Sequence, residues 1–201
     1  MRVIRVGTDA LLVEVGSTLE AAALYATAMR AGVRAVEIVP AARTVLFDGV
    51  DDPDELARAI SGWELTAEPV LEADTVVDLP TRYDGPDLEV VADLWGTDVD
   101  GVVATHTSHT YRVDFCGFAP GFPYCSGLPE HLSVPRRGDP RPMVPAGAVA
   151  LAGTYTGVYP QASPGGWMLL GTTEVPVWDL AREDPALLTP GTRLRFVAVV
   201  P

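Results

Sequence analysis

The residues best suited to chemistry in this chain are arginines, paired glycines and aromatic rings, and they crowd into residues 115–167. FCGFAPGFPY, residues 115–124, sets Phe115, Phe118, Phe122 and Tyr124 among Gly117, Pro120, Gly121 and Pro123. Proline fixes φ and removes a donor, and glycine opens φ above zero, so the rings have few ways to sit. Such a loop is stiff before any ligand arrives, and binding to it costs little ordering entropy. The plain alternative is that the rings plug one end of a barrel. VPRRGDPRPMVPAG brings Arg136, Arg137 and Arg141 together on a proline-braced loop, where guanidinium groups could hold a carboxylate or phosphate. Local pairing with Asp139 and Glu130 is the alternative there. Pro164-Gly165-Gly166-Trp167 can make a tight turn that exposes backbone N–H groups beside an indole, although hairpin geometry alone could require it. In ATHTSHTYRV, His106 and His109 are the best general acid–base candidates, set against hydrogen-bonded structural roles.

Composition removes several functions. The formal net charge is −13, which disfavours nucleic acid and anionic membrane surfaces. All 14 basic residues are arginine, and without lysine there is no Walker-type nucleotide site and no Ser-Ser-Lys amidase centre. There is no GxSxG nucleophile elbow, no HExxH and no zinc-ligand spacing, so no metal is expected. Cys116 and Cys125 read as free thiols. The longest nearly apolar run, Met143 to Gly153, is far short of the roughly 20 residues that cross a bilayer. Arg5 and Asp9 interrupt the N-terminus before a signal-peptide core can develop, so a cytoplasmic location is expected.

Two domains must position these residues. Residues 1–78 read as a small α+β sheet domain of order β-β-α-β-β-α, with helices on one face, over RVIRV, ALLVEV, TLEAAALYATAMRAG, VRAVEIVP, RTVLFDG and DPDELARAISG. Residues 79–201 read as a β-barrel or sandwich with long loops. VVDLPTRYDG leads into it, DLEVVADLWG and DVDGVVATHTS follow as short helices, and short apolar runs separated by turns continue from Tyr111. Residues 117–167 hold 9 of the 18 prolines and 9 of the 19 glycines, but the valines and rings between them can bury apolar surface, so order is expected.

Three long stretches, HTSHTYRVDFCGFAPGFPYCSGLP, PRRGDPRPMVPAGAVALAG and TGVYPQASPGGWMLLGTT, resemble in order and spacing the 5-oxoprolinase B-subunit family. That family is also labelled allophanate hydrolase subunit 1 and includes the histidine-kinase inhibitor KipI. The resemblance covers most of residues 75–180 and implies a cyclophilin-like β-barrel behind a small α+β domain. It further implies a complex with a homologous C-type subunit (the allophanate hydrolase subunit 2 type) and a third subunit. That complex opens 5-oxoproline to glutamate at the expense of ATP with magnesium. The family's motif falls here on His106, Gly117, Phe118, Pro120, Gly121, Phe122, Tyr124, Arg137, Pro140, Arg141, Pro145, Gly147, Tyr159, Pro164, Gly165, Gly166 and Trp167. Cys125 stands where an aliphatic residue is usual, and Thr172 where arginine often follows glycine, which would remove a positive charge near the site.

Residue chemistry then suggests roles. Arg137 or Arg141 would hold a carboxylate or phosphoryl group, with Phe118, Phe122, Tyr124, Tyr159 and Trp167 around the small-molecule substrate. Backbone N–H groups near Gly165 and Gly166 would meet developing oxyanion charge, and His106 would move a proton. Catalysis would rest on His106 and Arg141, and the chain would not act alone; no cofactor is evident in it by itself. A regulatory protein docking on a sensor histidine kinase is the alternative, and a prolyl isomerase has only the barrel in its favour.

Overall fold

A computed structural model of the chain describes residues 1–65 and 76–199. The chain divides into two compact units, residues 1–71 and 72–201. In the first, β1 (Arg2–Val6) and β2 (Ala10–Glu14) form an antiparallel hairpin, and β4 (Thr44–Asp48) then β3 (Glu37–Pro40) extend it into a sheet of order β1-β2-β4-β3. Helix α1 (Thr18–Arg30) begins where the Ser17 side chain accepts from the Glu20 N–H. Helix α2 (Pro53–Ser61) begins where Asp52 accepts from Glu55, with proline in the first turn. Leu24 and Ala28 of α1 share one core with Leu56 and Ile60 of α2 and with Val13, Val45 and Phe47 of the sheet. Both helices therefore cover the same face, as the apolar spacing predicts.

The second unit is built on seven strands: β5 (Val76–Thr81), β6 (Tyr111–Cys116), β7 (Pro123–Ser126), β9 (Ala148–Ala152), β10 (Tyr155–Val158), β12 (Met168–Thr172) and β13 (Arg193–Ala198). Their order is β12-β9-β10-β7-β6-β13-β5, and only β13 with β5 is parallel. The two outer strands meet. Arg82 and Thr172 exchange N–H···O bonds of 2.9 and 2.8 Å, which nearly closes the sheet into a barrel. Gly171 permits this approach, because a Cβ there would lie 2.1 Å from the Arg82 carbonyl oxygen. The division expected at residue 78 falls inside β5, which pairs along its whole length with β13 and so belongs to the second unit. The linker stretch preceding it lies largely outside the described residues.

Two features depart from the sequence-based expectation. Pro123–Ser126, read as part of a rigid loop, is strand β7, because its N–H and C=O groups pair with β6 and β10. MVPAGAVALAG is two strands, broken at Gly147, where φ is 79°. Its first part, β8 (Arg141–Val144), leaves the barrel and pairs with β11 (Ser163–Gly165) as a separate ribbon. Helices α3 (Leu88–Trp95) and α4 (Val99–Ser108) turn at Gly96, with φ 66°, and Val91 and Val102 enter the barrel core beside Tyr111, Leu151, Leu170 and Phe196.

Strand β9 is buried on both sides. Val149 and Leu151 face the barrel core, while Ala148, Ala150 and Ala152 face a second cluster with Phe122, Tyr159, Trp167 and Leu169. The alternation of branched and small side chains puts the aromatic cluster on the outer wall of the barrel. The rings cover its flank and do not plug its end. Both cysteines are free, with Cys125 buried and burial pushing the Cys116 thiol up to about 11.

Candidate functional site

The bend in FCGFAPGFPY is closed by its own backbone. Gly117 N–H reaches the Phe122 carbonyl (3.2 Å), Phe122 N–H reaches Ala119 O (3.0 Å) and Ala119 N–H reaches Gly117 O (2.8 Å). The last bond spans two residues and forces Phe118 to φ 69°, the one non-glycine among the described residues with positive φ. A side chain in that region stores on the order of 1–3 kcal/mol and persists only where the surroundings over-determine it. Here the strain holds the Phe118 ring out, 64% exposed, edge-on to Phe122 at 5.5 Å. Phe122 is buried, with the rings of Tyr159, Trp167 and Tyr124 at 5.0, 5.2 and 5.3 Å in edge-to-face contact. That geometry suits aromatic quadrupoles, and the alanines of β9 leave it room. Phe118→Gly should therefore leave folding stability within about 1 kcal/mol of wild type, since relief of strain offsets a mostly exposed ring. Ligand affinity should fall about tenfold, equivalent to about 1.4 kcal/mol. Urea unfolding beside ligand titration checks both, and a stability loss above about 2 kcal/mol would make the ring a structural plug.

Opposite the rings, the arginines are anchored from below. Asp87 sits at the start of α3 but makes no side-chain bond to its own helix. Its Oδ1 instead accepts from Arg137 Nη1 (3.0 Å) and Arg141 Nη2 (2.8 Å), and its Oδ2 from the Leu169 N–H (2.7 Å). The Asp87 N–H donates back to the Leu169 carbonyl at 3.2 Å, so the carboxylate is riveted to β12. Burial alone would raise its pKa, but the bonds from Arg141 and Leu169 and the charges of Arg141 and Arg137 outweigh that and hold it below the usual carboxylate range. Arg141 Nη1 is buried without a partner. Arg137 also ties the tandem glycines down, its N–H donating to Gly166 O at 2.7 Å. Gly165 is paired with Arg141 across the β8–β11 ribbon, and a Cβ on it would lie 2.2 Å from the Tyr159 hydroxyl. Burial raises the Tyr159 pKa, and the Trp167 backbone bonds that hydroxyl.

Between the two sides lies a cavity of about 150 Å³. All eight residues expected to contact substrate line it: Phe118, Phe122, Tyr124, Arg137, Tyr159, Gly165, Gly166 and Trp167, with Arg136 and Pro140 completing the wall. Arg141 does not line it and stands behind, joined to Arg137 through Asp87. For Arg137 and Arg141 the pairing considered with Asp139 and Glu130 is replaced by Asp87; Arg137 reaches only the backbone oxygen of Asp139, at 3.4 Å.

His106 is placed elsewhere. It is fully buried, its ring 4.5 Å from that of Phe196, and it does not line the cavity. The Thr156 hydroxyl donates to Ala150 O, so it accepts from His106 Nε2–H (3.0 Å), and Nδ1 accepts from the Tyr83 hydroxyl (2.7 Å). Burial, with a smaller effect of His109, pushes its pKa down to about 3. The proton-moving role expected from sequence is corrected to a structural one, because both nitrogens are committed within the barrel wall. His109 Nδ1–H donates to the carbonyl oxygen of Thr105 at its own helix end (2.7 Å), with the Ser108 hydroxyl 3.2 Å away. Thr172 is also outside the cavity. It sits at the barrel closure, where Arg82 bonds its hydroxyl at 3.1 Å, so the loss of arginine there takes no charge from the aromatic site.

Sequence reasoning missed Asp87. It looked like one acid among many in the acidic N-terminal half, and its only signal was its place at the start of a helix after glycine and proline.

Residues 1–188 match the family described as carboxyltransferase domain, subdomain C and D. The B subunit of 5-oxoprolinase from Escherichia coli O157:H7 is 46% identical over 147 residues, 72% of this chain and 67% of that protein. Among solved structures, TTHA0988 superposes with a TM-score of 0.78 at 38% identity over 96% of this chain and 40% of its own. The urea amidolyase of K. lactis superposes with a TM-score of 0.77 at 21% identity over 98% of this chain and 15% of its own, a likeness of fold alone. The chain thus spans about two thirds of the first protein and well under half of the other two. It belongs to the family of the carboxyltransferase domain, subdomain C and D, in the branch of the 5-oxoprolinase B subunits.

Proposed function

We propose that this chain is one component of an ATP-dependent 5-oxoprolinase, which opens 5-oxoproline to glutamate together with a homologous C-type subunit and a third subunit, and that it is not active alone. The observation that carries this reading is the convergence of eight sequence-marked residues on one small cavity with rings on one side and an anchored arginine on the other. The names of the relatives, at 41–46% identity, support it.

Within the cavity, Arg137 holds the substrate carboxylate, and the edges and faces of Phe118, Phe122, Tyr124 and Trp167 enclose the apolar part of the lactam ring. Arg137 is about one third exposed, so its guanidinium acts in a less screened setting than at an open surface. ATP does not fit here. Pockets for drug-sized ligands take about 300 Å³ or more, against about 150 Å³ in this cavity, so no step through ATP or its magnesium is assigned to these residues.

The test is co-purification of the full chain with its partner subunits, followed by 5-oxoproline-dependent ATP hydrolysis. Turnover should require all components. A mixture that turns over equally well without this chain would remove it from the enzyme, and recovery of a histidine kinase in place of the C-type subunit would favour a regulatory role.

A further inference from the structure

Asp87 is the most deeply buried carboxylate beside the cavity, yet it does not line it. Two guanidinium groups share its Oδ1, and its Oδ2 is committed to a backbone N–H, so its charge is fully occupied by the site's own structure. The inner charges are therefore two positive and one negative. Arg136 lines the cavity but is exposed, and Asp139 is exposed too, so solvent screens both. One uncompensated positive charge remains inside, together with one guanidinium N–H group, Arg141 Nη1, that has no partner.

We propose that Asp87 sets the charge preference of the cavity: by neutralising one of the two arginines it holds, it makes the site select a monoanion over a dianion. This rests on the reading above that the cavity binds substrate, and it narrows the substrate class to singly charged, ring-bearing carboxylates. Asp87 acts through the arginines and is a positioning residue. In this geometry Arg141, behind the cavity, balances Asp87, and Asp87 aims Arg137 into it. A lone Arg137 on a proline-rich loop would bring the same charge without a fixed direction.

The experiment titrates the full chain by calorimetry at neutral pH with three probes: 5-oxoproline, a monoanion; glutarate, a dianion with the same number of carbons; and 2-pyrrolidinone, the uncharged ring. Wild type should bind 5-oxoproline at least about tenfold more tightly than glutarate. Asp87→Asn adds one net positive charge and should shift that ratio about tenfold toward glutarate, whatever happens to overall affinity. Asp87→Asn combined with Arg141→Gln restores the inner balance and should return the ratio to within about twofold of wild type. If Asp87→Asn does not fold, Arg141→Gln alone carries the test: it leaves the inner site neutral, and 5-oxoproline should lose its advantage over 2-pyrrolidinone. A merely structural Asp87 weakens all three probes in parallel. Ratios that stay constant across the variants overturn the charge assignment while leaving the cavity reading intact; a wild-type chain that binds none of the probes overturns both.

Discussion

Arg137→Ala should lower 5-oxoproline turnover by the assembled complex about 100-fold, with most of the loss in kcat/KM and little change in folding. A charge-assisted hydrogen bond to a buried or half-buried carboxylate is worth about 1.5–3 kcal/mol, and about 2.7 kcal/mol is a hundredfold. The fold should tolerate the change because Arg137 is about one third exposed, and Asp87 keeps the Arg141 guanidinium and the Leu169 N–H as partners. Lysine should recover only part of the loss. An ammonium cannot reproduce a planar fork that bonds Asp87 on one edge and offers the other to a ligand. Steady-state kinetics of the reconstituted complex, beside the urea midpoint of the isolated chain, separates the two effects. Unchanged turnover in the alanine variant would falsify the anion-holding role.

Acid should loosen the second unit through His106. His106 is neutral in the folded protein, with its pKa pushed from about 6.5 down to about 3 by burial. Its folded pKa lies below its unfolded one, so the unfolded chain takes up a proton in this window and the folded chain does not. Stability is therefore full above about pH 6.5 and falls by about 1.4 kcal/mol per pH unit as the pH drops toward 3. Between pH 7 and pH 5 the loss is about 2 kcal/mol from this group alone. His106→Gln, which can still bond Tyr83 or Thr156, should cost stability at pH 7 but flatten the slope over that interval. Urea unfolding at pH 7, 6 and 5 reads it. If the glutamine variant loses as much between pH 7 and pH 5 as wild type, the titrating group is another.

These two expectations separate residues that the sequence alone had placed together. Arg137 and His106 both fall in strongly marked stretches, and both carry chemistry suited to a hydrolase. The bend was legible because its constraint is local: Gly121, at φ 75°, needs a conformation that glycine adopts freely, and the prolines beside it fix the backbone. The clustering of arginines in one short loop was legible for the same reason. The two-unit organisation and the helices of the first unit could be read from the spacing of apolar residues and, for α2, from the acidic cap and the proline that opens it.

What residue spacing cannot express is which groups meet across the barrel. Asp87 and Arg141 are 54 positions apart, and only its place after Gly85 and Pro86 at a helix start marks that aspartate among the other acids of the chain. Its partners exist only because α3 starts against β12 and the β8–β11 ribbon folds over the same strand. In the linear view His106 reads either as an acid–base candidate or as a hydrogen-bonded structural residue, and it becomes a neutral strut once Tyr83 and Thr156 close on its two nitrogens. Local backbone chemistry was thus written in the amino-acid order, while the burial and pairing of charge, which decide pKa and direction, were settled only by long-range packing.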